Sequence, residues 1–470
     1  MNTAKANRPF GLRDKLGYMF GDFGNDFMFI FAGLFLMVFY TKVLGISAEL
    51  VGVLFLVARC IDAVTDVTVG RLVDKMKPGK HGRFRTWILR MSGPAALTSF
   101  LMYQSALADA SMTVKIVYMF VTYLLWGSIC YTCVNIPYGS MASAITEDAD
   151  QRASLSTFRS LGAALAQLLI GVVAPLLIYT TDANGNQIVD GGRITLIAGV
   201  FSVGAFICYM ICYFMTYERV QFDNSAAKNG KNDSFFTTLK GLATNKPLLG
   251  IIVAAILLLL VSLLTQSLNQ YLFIDYFKNS NALSLMNFVG LLPSVVIFPF
   301  VVPISKKYGK KEASAVGCII GGISSLVLYF LHLESIAPFI LISVIGYFGF
   351  GFFNMVIWAF ITDIIDDNEV KTGNREDGTI YAVYSFARKL GQALAGGLGG
   401  FALGLIGYDS SVQVQTAEVA NGIYDIATLI PGVAYILVGL VLIFLYPLNK
   451  QRVQYNVDFL KKKREGASHS

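Results

Sequence analysis

Long apolar segments recur through this 470-residue chain and constrain its fold more than any other feature. About twelve of them are long enough for a helix of about twenty residues to cross the hydrocarbon core of a bilayer. They lie at roughly 16–42, 48–73, 84–107, 112–146, 152–180, 192–217, 247–275, 283–305, 312–332, 336–362, 378–407 and 424–448. The mean hydropathy of +0.60 lies above the range of water-soluble domains, and the charged fraction of 14% lies below it. The sequence therefore predicts an all-α membrane protein with twelve transmembrane helices.

Basic residues orient this predicted bundle. Most of the 37 Lys and Arg fall in alternate loops and near the two ends of the chain. Two such loops carry Lys75, Lys77, Lys80, Arg83 and Arg85, and Lys306, Lys307, Lys310 and Lys311. The positive-inside rule makes that side cytoplasmic, so we expect both termini in the cytoplasm and the chain in the inner or plasma membrane. The topology explains the net charge of +7, so no nucleic-acid partner is required. The basic tail can in addition contact anionic lipid.

A polar interruption at 218–246 divides the apolar segments six and six. It separates an N-terminal bundle at 1–217 from a C-terminal bundle at 247–450, which is followed by a basic cytoplasmic tail at 451–470. The halves echo each other in the same direction, since GRLVDKMKPGKHGRFR after the second segment corresponds to VPISKKYGKKEAS after the eighth. Two six-helix bundles repeated in this way resemble the plan of major facilitator transporters, which place their ligand site between the halves.

The second apolar segment contains Arg59, Asp62 and Asp66 near its middle. The two acids are four residues apart, so they share one face of a helix. A charge at this depth costs at least about 2.5 kcal/mol and needs a partner or a function. An internal ion-pair network is one explanation, but a structural tie needs one acid and not two. Other charges predicted inside the membrane are Asp22, Asp26, Arg159, Arg388 and Lys389. We expect Arg59 to pair with Asp26 or Asp22.

This set of charges favours two kinds of ligand. Carboxylates, bases and amides around one cavity suit a polyhydroxylated molecule, because each can hold neighbouring hydroxyls in paired hydrogen bonds. Asn25, Tyr131, Asn135, Gln167 and Trp358 extend that inventory. Two facing carboxylates can also bind a small cation together with neutral oxygens such as those of Thr65 and Thr132, or they can share a proton.

Other functional classes find little support. The sequence has no P-loop, so the energy source is expected to be an ion gradient. It also lacks a nucleophile–base pair or a metal set, so we expect no enzyme and no cofactor. Its six cysteines lie in apolar segments and its three histidines are scattered. A CxxC at Cys130 and Cys133 without a second pair is weak support for metal or redox chemistry.

Several motifs resemble the glycoside-pentoside-hexuronide:cation symporter family, the family of melibiose permease. They occur in the family's order over almost the whole chain: GYMFGDFGNDF (17–27), FYTKVLGI (39–46), LFLVARCIDAVTDVTVGRLVD (54–74), GRFRTWIL (82–89), YTCVNIPYGSMASAIT (131–146) and VKTGNREDGTIYAVYSFARKLGQALAG (370–396). The resemblance implies the major facilitator fold and cation-coupled sugar transport.

The resemblance also implies roles for single residues. Asp62 and Asp66 match the paired cation-binding aspartates, and Thr132 matches a threonine that completes that site. Asp26, Tyr131 and Arg159 match residues that hold the sugar. Lys389 matches a lysine that joins the sugar and cation sites.

Three departures from melibiose permease affect the expected ligands. Asn135 stands where an aspartate precedes Ile-Pro, and Gly139 stands where a tryptophan follows. An asparagine tolerates an anionic ligand better than an aspartate does, and glycine removes a stacking platform. Thr65 replaces an asparagine near the cation, which leaves both Na⁺ and H⁺ open. The VNIPYG form resembles the glucuronide and xyloside branches more closely.

The sequence thus predicts a symporter that imports a glycoside, pentoside or hexuronide with Na⁺ or H⁺ by alternating access, with a monomeric transport unit. The predicted cation site comprises Asp62, Asp66, Thr132 and Thr65. The predicted sugar site comprises Asp26, Asn25, Arg159, Tyr131, Asn135, Lys389 and Trp358, and Asp22, Arg59 and Arg388 form the surrounding charge network. The alternatives are a carrier of lysolipids or other amphiphiles with the same fold, which would need an apolar groove, and a non-transporting membrane sensor, which would need a signalling segment.

Overall fold

Each predicted apolar segment contains a helix in the computed structural model, which describes residues 8–76, 82–220, 245–373 and 377–467. Helices dominate because apolar segments of this length can cross hydrocarbon only if every backbone group is bonded within the segment. Among the described residues, nine helices are long and apolar enough to cross a membrane. The three remaining predicted segments, at 48–73, 84–107 and 378–407, also contain helices but are less apolar. The number twelve therefore stays a prediction.

Elements of the N-terminal half form one compact unit. They are α1 (Leu12–Phe31, extended by π turns at Ala32–Leu36 and Phe39–Val43), α2 (Ala48–Lys75), α3 (Phe84–Leu101), α4 (Met112–Leu124, extended by a π segment at Leu125–Tyr131), α5 (Thr132–Ile145), α6 (Ala149–Ile178), the antiparallel strands β1 (Tyr179–Thr181) and β2 (Gln187–Val189), and α7 (Gly191–Met215). The short segments Lys278–Ser284 and Leu403–Gln415 belong to the same unit.

Elements of the C-terminal half form the second compact unit. They are α8 (Lys246–Tyr271, extended by a π turn at Leu272–Tyr276), α9 (Ser280–Ile297), α10 (Val301–Tyr308), α11 (Lys310–Leu331), α12 (Ile336–Thr372), α13 (Asp377–Leu405), α14 (Ala417–Phe444) and α15 (Lys450–Ala467). Its core is apolar and includes Leu258, Phe353, Phe360 and Val438. The predicted linker at 218–246 lies largely outside the described residues.

Polar residues at the ends of the apolar segments start several helices. The side chains of Asp148, Asp190, Asn245 and Thr416 accept a hydrogen bond from the backbone amide three residues later, at the beginnings of α6, α7, α8 and α14. Such a bond satisfies one of the four amides that the first turn of a helix leaves without a partner. These caps fix where the helices begin.

Close helix packing in the first unit depends on glycine. A Cβ atom at Gly24 of α1 would lie 2.7 Å from Cβ of Cys208 in α7, and one at Gly162 of α6 would lie 2.6 Å from the Met19 carbonyl oxygen in α1. A side chain at either position would push the helices apart. Since Gly162 follows Arg159 by three residues, its close approach also brings that arginine to α1.

The predicted basic tail forms a helix that packs on the second unit. Asn456 and Leu460 of α15 are buried, and the Asn456 amide donates to Oδ1 of Asp367 in α12 at 3.0 Å. Arg452 of α15 donates to the same oxygen at 3.3 Å. Lys461, Lys462 and Lys463 are exposed at the end of the helix. The first part of the tail is therefore anchored, while its lysines face solvent.

Candidate functional site

An ion pair joins α1 and α6 inside the first unit. Arg159 donates through Nε to Oδ1 of Asp22 at 2.9 Å, and Asp22 is almost fully buried. The guanidinium also lies over the ring of Tyr138, with its carbon 5.4 Å from the ring centre. The side chain of Arg159 is 41% exposed. Asp22 holds one edge of the guanidinium, Tyr138 lies under one face, and Tyr18 is within hydrogen-bonding reach, so Arg159 is held in one orientation while part of it stays accessible to a ligand.

Asp26 lies one helical turn from Asp22 on the same face of α1. It is half-buried, and within the described part of the chain its carboxylate makes no hydrogen bond and no ion pair. Asp22 and Arg159 are close enough to act on it electrostatically. An acceptor of this kind beside an oriented guanidinium can receive hydrogen bonds from two neighbouring sugar hydroxyls. Two of the groups that the sequence assigns to sugar binding in this unit, Asp26 and Arg159, are thus close together.

Asn25 is the centre of a buried hydrogen-bond network. Its amide nitrogen donates to the Tyr131 hydroxyl at 2.8 Å and to Oδ1 of Asn135 at 3.3 Å. Its carbonyl oxygen accepts from the Tyr209 hydroxyl at 3.1 Å. Asn25 is 4% exposed and Tyr209 fully buried, whereas Asn135 is half-buried. Asn25, which the sequence predicts to bind the sugar, therefore makes its hydrogen bonds to other residues of the protein and orients them.

The two acids of α2 contact hydroxyl groups from the π segment and from α5. Ser128 donates to Oδ1 of Asp62 at 2.5 Å, and Thr132 donates to Oδ1 of Asp66 at 3.2 Å. The Thr132 hydroxyl also lies 3.0 Å from the carbonyl oxygen of Gly127. Carboxylate, hydroxyl and carbonyl oxygens are the ligands that hard cations prefer. The described residues contain no group of three or more His, Cys, Asp or Glu side chains for a metal ion, so an ion here would rely on neutral oxygens.

Thr65 contacts its own helix. Its hydroxyl lies 3.2 Å from the carbonyl oxygens of Ile61 and Asp62, so its proton serves a backbone acceptor of α2. No hydrogen bond links it to Asp66 among the described residues. A lone pair of the Thr65 hydroxyl is left for a cation, but among the described residues the hydroxyl bonds to the backbone of α2 and not to either carboxylate.

The expected pairing of Arg59 with Asp22 or Asp26 is wrong. Arg59 donates through Nη1 to Oδ2 of Asp62 at 3.3 Å, and Asp22 is taken by Arg159. A spacing of three residues on one helix lets Arg59 reach Asp62 without crossing to α1. The guanidinium also lies 5.9 Å from the centre of the Phe29 ring. Asp62 is therefore shared between a base and a hydroxyl.

Three predicted residues lie in the second unit. The guanidinium of Arg388 in α13 is 5.1 Å from the centre of the Trp358 ring in α12, and that ring packs edge-on against Tyr384. Trp358 is 41% exposed. Lys389 follows Arg388 on α13, and its side chain is outside the described set. Arg388 of the predicted charge network and Trp358 of the predicted sugar site thus form a cation–aromatic pair in the structure.

Sequence reasoning missed Ser128, Tyr138 and Tyr209. Ser128 is four residues before Thr132, so its spacing could have marked it as a second hydroxyl on one face. Tyr138 lies in the YTCVNIPYG motif, but nothing in the sequence indicates that its ring lies under Arg159. Tyr209 is 184 residues from Asn25 in the chain, and only the fold brings them together.

Comparisons with known proteins give a consistent picture. A model of the family described as MFS/sugar transport protein matches residues 17–450. An uncharacterized symporter, YjmB, of Bacillus subtilis is 32% identical over 463 residues, covering 98% of both chains. The glucuronide carrier protein homolog of Escherichia coli is 31% identical, covering 95% of this chain and 94% of that one. The crystal structure of a D-xylose-proton symporter aligns with a TM-score of 0.63 at 14% identity, covering 93% of this chain and 97% of that one. At that identity the structural match shows the fold alone.

Proposed function

Because the chain belongs to the MFS/sugar transport family, a family of multi-pass membrane transporters and not of enzymes, we propose that it is a cation-coupled symporter of the cell membrane with cytoplasmic termini. Its proposed substrate is a glycoside, pentoside or hexuronide, carried inward together with Na⁺ or H⁺. The glucuronide carrier homolog supports a sugar with an acidic group as the first substrate to test. The proposed site combines Asp26, Arg159 and Asn135 for the sugar with Asp62 and Asp66 for the cation.

One observation carries the coupling in this proposal. Tyr131 and Thr132 are adjacent in sequence. Tyr131 contacts Asn25, one of the residues around the proposed sugar site, which we call the sugar cluster. Thr132 contacts Asp66 of the proposed cation site, which we call the cation cluster. Because packed protein interiors are nearly incompressible, a displacement of the backbone at Tyr131 and Thr132 moves the side chains of both clusters. This backbone segment therefore provides a physical link between the two proposed ligands.

A cycle follows from this link. Arg59 balances one of the two negative charges of Asp62 and Asp66, and the cation or a proton neutralises the other. The hydroxyls of Ser128 and Thr132 adjust to it. Tyr131 then changes its position against Asn25, and the sugar cluster gains affinity. Coupling of this kind is reciprocal, so bound sugar must raise the affinity for the cation by the same factor. The loaded carrier then changes its access from one side of the membrane to the other.

The variant Asp62→Cys tests the coupling, because a thiol cannot replace the carboxylate that receives the cation. We expect loss of gradient-driven accumulation in proteoliposomes given an inward Na⁺ or H⁺ gradient and a panel of labelled glycosides, pentosides and hexuronides. Asp109→Cys, which removes an exposed loop carboxylate, is the matched control and should accumulate substrate like the unmodified protein. Robust accumulation by Asp62→Cys would contradict the proposed cation site. Failure of every sugar under both gradients would contradict the proposed function.

A further inference from the structure

We propose that Tyr209, acting through Asn25, is a positioning residue that makes Asn135 a hydrogen-bond donor and so favours substrates with an acceptor-only group, such as a carboxylate. The inference rests on the proposed function of the site and adds a residue that contacts no ligand. Tyr209 is fully buried in α7, and its hydroxyl bonds to Asn25 and to no other group among the described residues.

The network assigns a direction to each hydrogen bond. Tyr209 donates its one proton to the carbonyl oxygen of Asn25, which fixes the orientation of that amide. The two protons of the Asn25 amide nitrogen are then directed at Tyr131 and Asn135. Asn135 receives its bond on Oδ1, so its own amide group, with two N–H donors, is left for a ligand.

In the reverse arrangement, the carbonyl oxygen of Asn25 would face Tyr131 and Asn135, and Asn135 would present its own oxygen to a ligand. The hydrogen bond that Tyr209 donates to the Asn25 carbonyl oxygen holds the amide in the first arrangement.

The donors converge on one side of α1. Asn135 bonds to Asn25 and Arg159 bonds to Asp22, and these two α1 residues are three apart and share a helix face. Asn135 and Arg159 are the half-exposed members of the two contacts. A carboxylate can accept from both, while the sugar hydroxyls bond to Asp26. A neutral hydroxymethyl group in the same place gains less, because charge-assisted hydrogen bonds are about twice as strong as neutral ones.

The test compares two probes that differ at one group, p-nitrophenyl β-D-glucuronide and p-nitrophenyl β-D-glucoside. In Tyr209→Phe, Asn25 is free to reverse and withdraw the Asn135 donor. We expect the ratio of KM for the glucuronide to KM for the glucoside in proteoliposome counterflow to rise about 3- to 10-fold, the effect of one hydrogen bond. In an Asn25→Ala background, Tyr209→Phe should cause no further change, since Tyr209 acts only through Asn25.

Tyr103→Phe is the matched control. It also removes a buried tyrosine hydroxyl of the first unit, and that hydroxyl has no hydrogen-bond partner among the described residues. The ratio of the two KM values should stay unchanged in Tyr103→Phe. An equal change of this ratio in Tyr103→Phe and Tyr209→Phe would mean that the loss of any buried hydroxyl in this unit has the same effect, and it would overturn the inference. A ratio that falls in Tyr209→Phe would show the reverse orientation and overturn it as well. Transport of both probes with an unchanged ratio overturns the inference alone, whereas failure of the unmodified protein to transport these probes or any sugar of the panel overturns the proposed function with it.

Discussion

Ser128 brings a second hydroxyl to the acids of α2, beside the one from Thr132. It donates to Asp62, which also receives a bond from Arg59, so this carboxylate has two fixed donors before any ligand arrives. Asp66 accepts from Thr132 at 3.2 Å. Each acid of α2 is thus contacted by a hydroxyl from the neighbouring helical segment.

Replacing Ser128 by Ala should weaken cation binding. The variant loses a hydroxyl that fixes the Asp62 carboxylate and can itself contact the ion, and hydrogen bonds to charged groups contribute about 1.5–3 kcal/mol. We expect the cation concentration for half-maximal sugar uptake to rise at least about tenfold. Ser143→Ala in α5, which removes a hydroxyl bonded only to its own helix, should leave that concentration unchanged. Equal behaviour of the two variants would exclude Ser128 from the cation site.

Part of the cluster around Asp62 and Asp66 could be predicted from the sequence. Asp62 and Asp66 are marked by charge within an apolar segment, and their four-residue spacing places them on one face. The ion-pair partners of Arg59 and Arg159 could not be predicted, because each arginine has acids within reach. Only the packing of α6 against α1 selects Asp22 for Arg159. Tyr209 gave no signal, since a buried tyrosine in an apolar helix is indistinguishable from an ordinary core residue.

At the scale of whole elements, α3 depends on a carboxylate from a distant part of the chain. Glu218, which follows α7, accepts from the amides of Arg83 at 2.8 Å and Arg85 at 2.7 Å. Gly82 has a positive φ of +97°, and a Cβ there would lie 2.4 Å from the Glu218 carboxyl carbon. The beginning of α3 is thus held by a tertiary contact, whereas local residues cap α6, α7, α8 and α14. The local caps can be predicted from sequence, but a tertiary cap cannot.

Glu218→Ala should destabilise the first unit. The change leaves two amides at the beginning of α3 without an acceptor, and losing a helix cap costs about 1–2 kcal/mol. We expect the midpoint of thermal unfolding in detergent to fall by a few degrees relative to Glu147→Ala, which removes an exposed carboxylate at the end of α5. An unchanged midpoint for Glu218→Ala would show that α3 begins without this contact.

At the scale of the whole molecule, the described residues divide into two compact units, each with its own helices and core. The predicted bounds at 1–217 and 247–450 stay a prediction, since Lys278–Ser284 and Leu403–Gln415 belong to the first unit. The anchored helix α15 was not anticipated, since its composition is that of a solvated tail and its attachment depends on the buried Asp367. The orientation in the membrane is still a prediction from charge alone.

Single cysteines test that orientation. In a Cys60→Ser background, which removes the exposed cysteine, Ala183→Cys lies between β1 and β2 and Lys306→Cys lies in α10. We expect a membrane-impermeant maleimide to label Ala183→Cys in intact cells and Lys306→Cys only after the membrane is opened, because the basic loops face the cytoplasm. The opposite pattern would reverse the assigned topology.

The π segment at Leu125–Tyr131 affects how this chain can be aligned with others. A π turn contains more residues per turn than an α-helix, so a chain with one residue fewer in this segment can close nearly the same arc as a regular α-helix. The residues that follow, including Thr132, would then keep nearly the same face toward α2. Residue roles can therefore be transferred between aligned chains across α4 and α5 by the helix face they occupy, even where the two segments differ by one residue.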